Sequence, residues 1–160
     1  MNDLVVREDL SLVTSGEQDY VTIYLAGQML GIPVLAVHDV LNTQKITRIP
    51  LAAHWVAGVL NLRGKIVTAI DLRSRLNLPL HDEGEKSMSV VVEHKGEPYS
   101  LQIDKVGEVL SLKNHLFEKN PATLDPCWRD VSKGIYRLED NLMAVLDVDK
   151  LLETTDAEAA

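Results

Sequence analysis

The chain has 160 residues, 46% hydrophobic but only 4% aromatic, with a formal net charge of −8 at pH 7. A chain of this length buries about 68–70% of its unfolded surface, enough for one domain or two very small halves sharing an interface. The hydrophobicity excludes a disordered chain. The single cysteine excludes an internal disulfide framework and a multi-cysteine zinc site, and the negative charge argues against a nucleic-acid partner.

Residues 1–18 read as a loose leader, ordered only where Leu10 and Leu12 find a surface. Asp3, Arg7, Glu8 and Asp9 interrupt it, so no signal-peptide core is expected. The longest core run free of Asp, Glu, Lys and Arg, Leu51 to Leu62, is too short and too polar to span a bilayer. The expectation is a soluble, cytoplasmic protein without direct membrane contact, held near a membrane only through a protein partner.

Tyr20–Leu25 is β-rich and stops at the turn signal Ala26-Gly27-Gln28. Leu30–Leu41 reads as an extended strand running into a short second one, because Gly31, Pro33 and the valines outweigh the helical spacing of Val34, Val37 and Val40. Lys45–Ile49 alternates with period two and is closed by Pro50. Leu51–Val56 suits one or two helical turns, and Lys65–Leu72 a strand. The polar stretch His81–Lys86 is the predicted linker. Further strands follow at Met88–Glu93, Tyr99–Ile103, Glu108–Leu112 and Leu142–Leu146. His115–Val131 resists a strand reading, Val148–Leu152 suits a closing helix, and residues 154–160 read as a frayed tail.

The second half repeats the first. At an offset of 69 (90 minus 21), Val21 meets Val90, Ile32 meets Leu101, Asp39 meets Glu108 and Val40 meets Val109. One later insertion raises the offset to 76 (134 minus 58), where Gly58 meets Gly134 and Asp71 meets Asp147. A duplicated unit of roughly five short strands suits a small closed barrel, so two barrels sharing an apolar seam are expected.

The chain carries no catalytic signature. His38, His54, His81, His94 and His115 show no close pair at metal spacing. Cys127 reads as a buried thiol. Asp82, Glu83 and Glu85 form a solvated charge run on the linker. No enzyme activity, metal or cofactor is therefore expected. One local feature stands apart: in Gly58-Val-Leu-Asn-Leu-Arg-Gly64, Asn61 and Gly64 suit a tight turn with positive φ that pushes Arg63 outward. A planar guanidinium at a fixed place can grip a partner's carboxylate, although on spacing alone a solvated Arg on a hairpin turn is the simpler account. The matching Arg137-Leu-Glu-Asp140 lacks the Arg-Gly pair.

The run Gly58-Val-Leu-Asn-Leu-Arg-Gly-Lys-Ile-Val-Thr-Ala-Ile-Asp-Leu-Arg73 resembles the signature of the CheW-like domain family, N-L-R-G followed by an apolar strand and D-L-R. Gly31–Val40, Ile46–Pro50, Val106–Leu112 and Asp147–Leu152 fit the same family, so the resemblance spans about Asp19 to Glu153. It implies an all-β fold of two five-stranded SH3-like β-barrels packed side by side, with short helical segments between strands and at the C-terminus. The implied halves are about 19–86 and 87–153, with terminal strands free to cross over. It further implies a non-enzymatic, standalone adaptor of bacterial chemotaxis, since the length leaves no room for kinase or receiver domains. Such an adaptor couples chemoreceptor hairpin tips to the regulatory domain of a CheA-type histidine kinase, recruited to receptor arrays at the inner face of the membrane. A paralogue serving twitching or another output would look much the same.

By the same resemblance, Arg63 matches a partner-contacting position, and Val37 and Asp39 match an apolar and acidic pair tied to receptor and kinase binding. Val109 matches an apolar position near the inter-barrel groove. Gly58, Asn61 and Gly64 shape the turn. Weak self-association in array rings is also implied, although Phe117, Glu118, Lys119 and Thr123 depart from the family's usual basic-aromatic arrangement there.

Overall fold

Along Glu17–Leu25, Val21, Ile23 and Leu25 point to one side and Tyr20 to the other, and both sides are buried. A strand with two apolar faces must lie between two cores, and the architecture follows from that. The computed structural model describes residues 16–42, 45–79 and 87–159. These residues form β1 (Glu17–Leu25), β2 (Gln28–Pro33), β3 (Val37–Leu41), β4 (Val56–Leu62), β5 (Lys65–Asp71), β6 (Met88–His94), β7 (Glu97–Ile103), β8 (Lys105–Lys113), β9 (Ser132–Arg137) and β10 (Leu142–Leu146). The helices are α1 (Leu72–Arg75), α2 (Pro126–Arg129) and α3 (Val148–Ala159). The leader through residue 15 and the linker His81–Lys86 lie outside the described residues. Among the described residues, no helix is long and apolar enough to cross a membrane.

The all-β class holds, with strands in two five-stranded sheets. Sheet 1 has the order β8-β1-β2-β10-β9, and sheet 2 the order β3-β6-β7-β5-β4. Each sheet is a hairpin of one half, β1–β2 or β6–β7, completed by three strands of the other half. Crossing thus extends well beyond terminal strands, and neither sheet is built from residues 19–86 or 87–153 alone. The joins are the parallel pairs β2–β10 and β5–β7.

The expected closed barrels are instead open sheets. Among the described residues, only the single bridges Thr47↔Val59 and Glu118↔Ile135 connect the chain beyond each outer strand, β3 or β8, to the opposite edge, β4 or β9. The reason is local in sheet 1: after Lys113 the chain enters the 3₁₀ turn Asn114–Leu116, so no continuous ladder forms.

The repeat is written into the register. Val21↔Ile32 recurs as Val90↔Leu101, and Val59↔Thr68 recurs as Ile135↔Ala144. Even the parallel pair Leu30↔Ala144 recurs as Tyr99↔Thr68. The hairpin turns match as well, with positive φ at Ala26-Gly27 and at Lys95-Gly96.

The main core lies between the sheets and takes Ile23, Leu25 and Ile32 from sheet 1 and Ile70, Val92 and Ile103 from sheet 2. Leu151 and Leu152 of α3 close it. Each such side chain contributes about 1.5–3 kcal/mol on full burial. Behind sheet 1 sits a second cluster of Tyr20, Tyr136, Met143 and Val145, and behind sheet 2 a third of Leu60, Val67 and Ala69.

Local expectations changed at several places, and a 3₁₀ turn at Val34–Ala36 breaks the extended run expected over Leu30–Leu41. Leu51–Val56 forms turns rather than a helix, with Leu51 at φ 63° and the Trp55 carbonyl accepting from the Asp71 amide. In Lys45–Ile49 only Thr47 is paired. The closing helix runs past Leu152 to Ala159.

Candidate functional site

The β4–β5 connection is a two-residue hairpin turn with Arg63 at φ 53° and Gly64 at φ 85°. Two consecutive left-handed residues match the twist of the flanking strands. The left-handed pair is thus Arg63-Gly64. Asn61 stays in β4 and shapes the turn through its side chain, whose Oδ1 accepts from the Gly64 N–H at 2.9 Å.

Gly58 acts elsewhere. It sits inside β4 at a register shift with φ 147°, and an added Cβ would overlap the Thr47 carbonyl. Its missing side chain lets the Thr47 backbone exchange hydrogen bonds with Val59, both at 2.8 Å.

Asp39 follows another bulge, between Val37 and Asp39 on β3. Its Oδ1 accepts from the Val40 N–H, and its Oδ2 lies 3.0 Å from the Arg63 guanidinium, close enough for an ion pair though without an aligned hydrogen bond. The pair joins the two outer strands of sheet 2. Asp39 is 23% exposed and Arg63 78%. The carboxylate therefore holds the guanidinium from below, and most of its donors face outward. An exposed pair of this kind contributes little stability, about 0–1 kcal/mol. Its physical use is to fix where a cation stands. Beside it Ile66, opposite Asn61 in the ladder, is 64% exposed. A fixed cation beside an apolar side chain is the composition of an interface anchor.

The other two predicted positions lie apart. Val37 is half-buried and packs against the main core. Val109 stands on β8 of the other sheet, 58% exposed and opposite Val21. Its repeat counterpart, Val40, is also exposed. The offset of 69 pointed to it, since Val40 aligns with Val109.

The D-L-R run proves structural. Asp71 accepts from the Ser74 N–H and caps α1, and Leu72 is fully buried. Arg73 grips Asp104 with two nitrogens, Nε at 2.9 Å and Nη2 at 2.6 Å, and donates to the Pro79 carbonyl. Asp104 also accepts from the Ala26 amide, so the contact ties α1 to the β1–β2 turn.

Cys127 lies in α2, part-buried, and burial followed by the neighbouring Asp125 pushes its thiol up to about 11. Such a thiol stays protonated near neutrality and is a poor nucleophile. Among the described residues, no group of three or more His, Cys, Asp or Glu side chains is arranged to hold a metal ion.

The CheW-like domain model matches residues 19–156. A probable chemotaxis protein CheW of Rhizobium etli is 21% identical over 148 residues, covering 92% of this chain and 96% of that protein. The chemotaxis protein CheW of Bacillus subtilis is 26% identical over 149 residues, covering 92% and 94%. Among solved structures, the scaffolding protein TtCheW of Thermoanaerobacter tengcongensis superposes with a TM-score of 0.76 at 29% identity, covering 85% of this chain and 92% of that one. With nearly all of its sheet-forming residues inside the match, the chain belongs to the CheW-like domain family.

Proposed function

We propose that this protein is a non-enzymatic scaffold of chemotaxis signalling that couples chemoreceptor hairpin tips to the regulatory domain of a CheA-type histidine kinase. The observation that carries this reading is the Arg63–Asp39 corner within a CheW-like domain. A cation fixed by a mostly buried carboxylate, with an exposed Ile66 beside it, sets register and partner choice more than raw affinity. Val109 on the other sheet would offer apolar area to a second partner, and Val37 would act by supporting β3 from the core. Contacts of modest size gain strength when repeated across an array, through effective concentration. Recruitment to receptor arrays at the inner face of the membrane follows from this reading.

Titration calorimetry against the kinase regulatory domain tests it. Arg63→Ala is expected to weaken binding by about 1–3 kcal/mol while leaving the unfolding midpoint nearly unchanged. Absence of binding by the unaltered protein at high concentration would remove the kinase-coupling role. Unchanged affinity of a folded Arg63→Ala variant would move the kinase contact away from this corner.

A further inference from the structure

The duplicated halves place a hollow at the same point behind each sheet. In sheet 1 it is a broad groove of about 520 Å³ whose lining includes Tyr20, Pro33 and Tyr136. Sheet 2 has there a cavity of about 30 Å³, and the residues aligned with those three, Ser89, Gln102 and Leu60, belong to its lining. The registers agree, since Tyr20↔Pro33 recurs as Ser89↔Gln102. Where sheet 1 has two phenol rings, sheet 2 has the smaller Ser89 and Leu60, and the space that remains is the cavity.

Its wall is polar and uncharged. Asn42, Ser87, Ser89, Ser100 and Gln102 contribute hydroxyl and amide groups. Ser100 is the decisive member. It sits on β7, the central strand of sheet 2, opposite Val91 of β6 and Ala69 of β5, and is 1% exposed. Its Oγ is buried and has no hydrogen-bond partner among the described residues. A buried hydroxyl carries its whole desolvation cost unless something inside the fold bonds it. A bound water needs about 10–15 Å³ of such space and two to four polar partners. The cavity meets the first condition by its size and the second by its wall. With no charge on that wall, a neutral ligand is the one that enters without leaving an unpaired charge.

We propose that this cavity is a water site, in which a buried water bonds Ser100 Oγ and side chains of the polar wall. It fills in sheet 2 the place that the Tyr20 and Tyr136 rings take in sheet 1. The water site goes beyond the coupling role and stands or falls separately from it.

Oxygen-17 relaxation dispersion of water on the full chain tests it, because the method counts long-held waters by their oxygen and ignores hydroxyl proton exchange. Ser100→Val removes the hydroxyl and fills the space. It should lower the count by about one water, with the circular dichroism unchanged. An equal count in that folded variant would overturn the water site. If the variant does not fold, a high-resolution crystal structure of the unaltered protein decides. A water peak within hydrogen-bond distance of Ser100 Oγ is expected there, and a cavity without density would overturn the proposal.

Discussion

Sheets 1 and 2 share strand order, register and bulge positions, yet corresponding positions carry different side chains. Behind sheet 1 are Tyr20, Tyr136, Met143 and Val145. The matching positions behind sheet 2 are Ser89, Leu60, Val67 and Ala69. Gly31 leaves room for the Met143 side chain in sheet 1, whereas in sheet 2 its counterpart is Ser100 and the residue aligned with Met143 is the smaller Val67. At the edges, sheet 2 has Asp39 paired with Arg63, and sheet 1 has Glu108 and Glu139 at the aligned positions. Backbone pairing needs only the alternation of apolar residues. Once that is kept, one sheet can develop an apolar groove and the other a fixed cation.

The largest expected effect tests the unequal cores. Tyr20→Ala should cost about 3–5 kcal/mol, whereas Ser89→Ala should change stability by less than about 1 kcal/mol. Denaturant midpoints with matched slopes would show it, and equal losses would break the comparison. Next come the crossing-point glycines. Gly134→Ala forces a Cβ against the Phe117 ring and the Glu118 carbonyl and should cost about 2 kcal/mol. Gly58→Ala meets the Thr47 carbonyl in a left-handed conformation and should cost about 1 kcal/mol more. Equal values would mean that crowding alone matters.

The helix contacts rank third. Arg73→Ala removes a two-pronged, part-buried contact and should cost about 2 kcal/mol. Its aligned residue on α3, Asp149, holds the buried His94 ring from a mostly exposed position, so Asp149→Ala should cost about 1 kcal/mol or less.

Alkaline titration sharpens the same contrast. Burial, and then its contact with the Tyr136 hydroxyl, raise the Tyr20 phenol well above the ordinary value of 10.0. Because the folded form holds the proton more tightly, the stability it contributes is complete below pH 10 and is lost as pH rises above it. Absorbance titration should show a late tyrosine component that Tyr20→Phe removes. The smallest effect is a gain: Glu139 aligns with Arg63 as Glu108 aligns with Asp39, so Glu139→Arg should copy the sheet 2 pair and add about 0.3 kcal/mol.

Much of this was legible in the sequence. β-rich runs marked β1, β5, β6, β7 and β10, whereas the period-two alternation of Lys45–Ile49 formed no strand, and the offsets of 69 and 76 anticipated the register residue by residue. The strands β4 and β9 went unread because Gly58 and Gly134 look like turn residues. They are glycine because another backbone crosses there, a fact of tertiary packing. The Asp39–Arg63 pair was likewise invisible as a pair, since 24 positions separate its members and only the closeness of the two outer strands brings them together.

By itself, the sequence determined that β1, β5, β6, β7 and β10 are extended, where the turns after Leu25 and Leu62 fall and that the unit is duplicated. These are local properties of side-chain period and backbone φ preference. Only the tertiary structure decided that each hairpin is completed by strands of the opposite half, that the sheets stay open among the described residues, and that sheet 1 carries the broad groove lined by Tyr20 and Tyr136. Alternation states which way a side chain points but not which strand lies alongside. That choice belongs to the packing of the whole core.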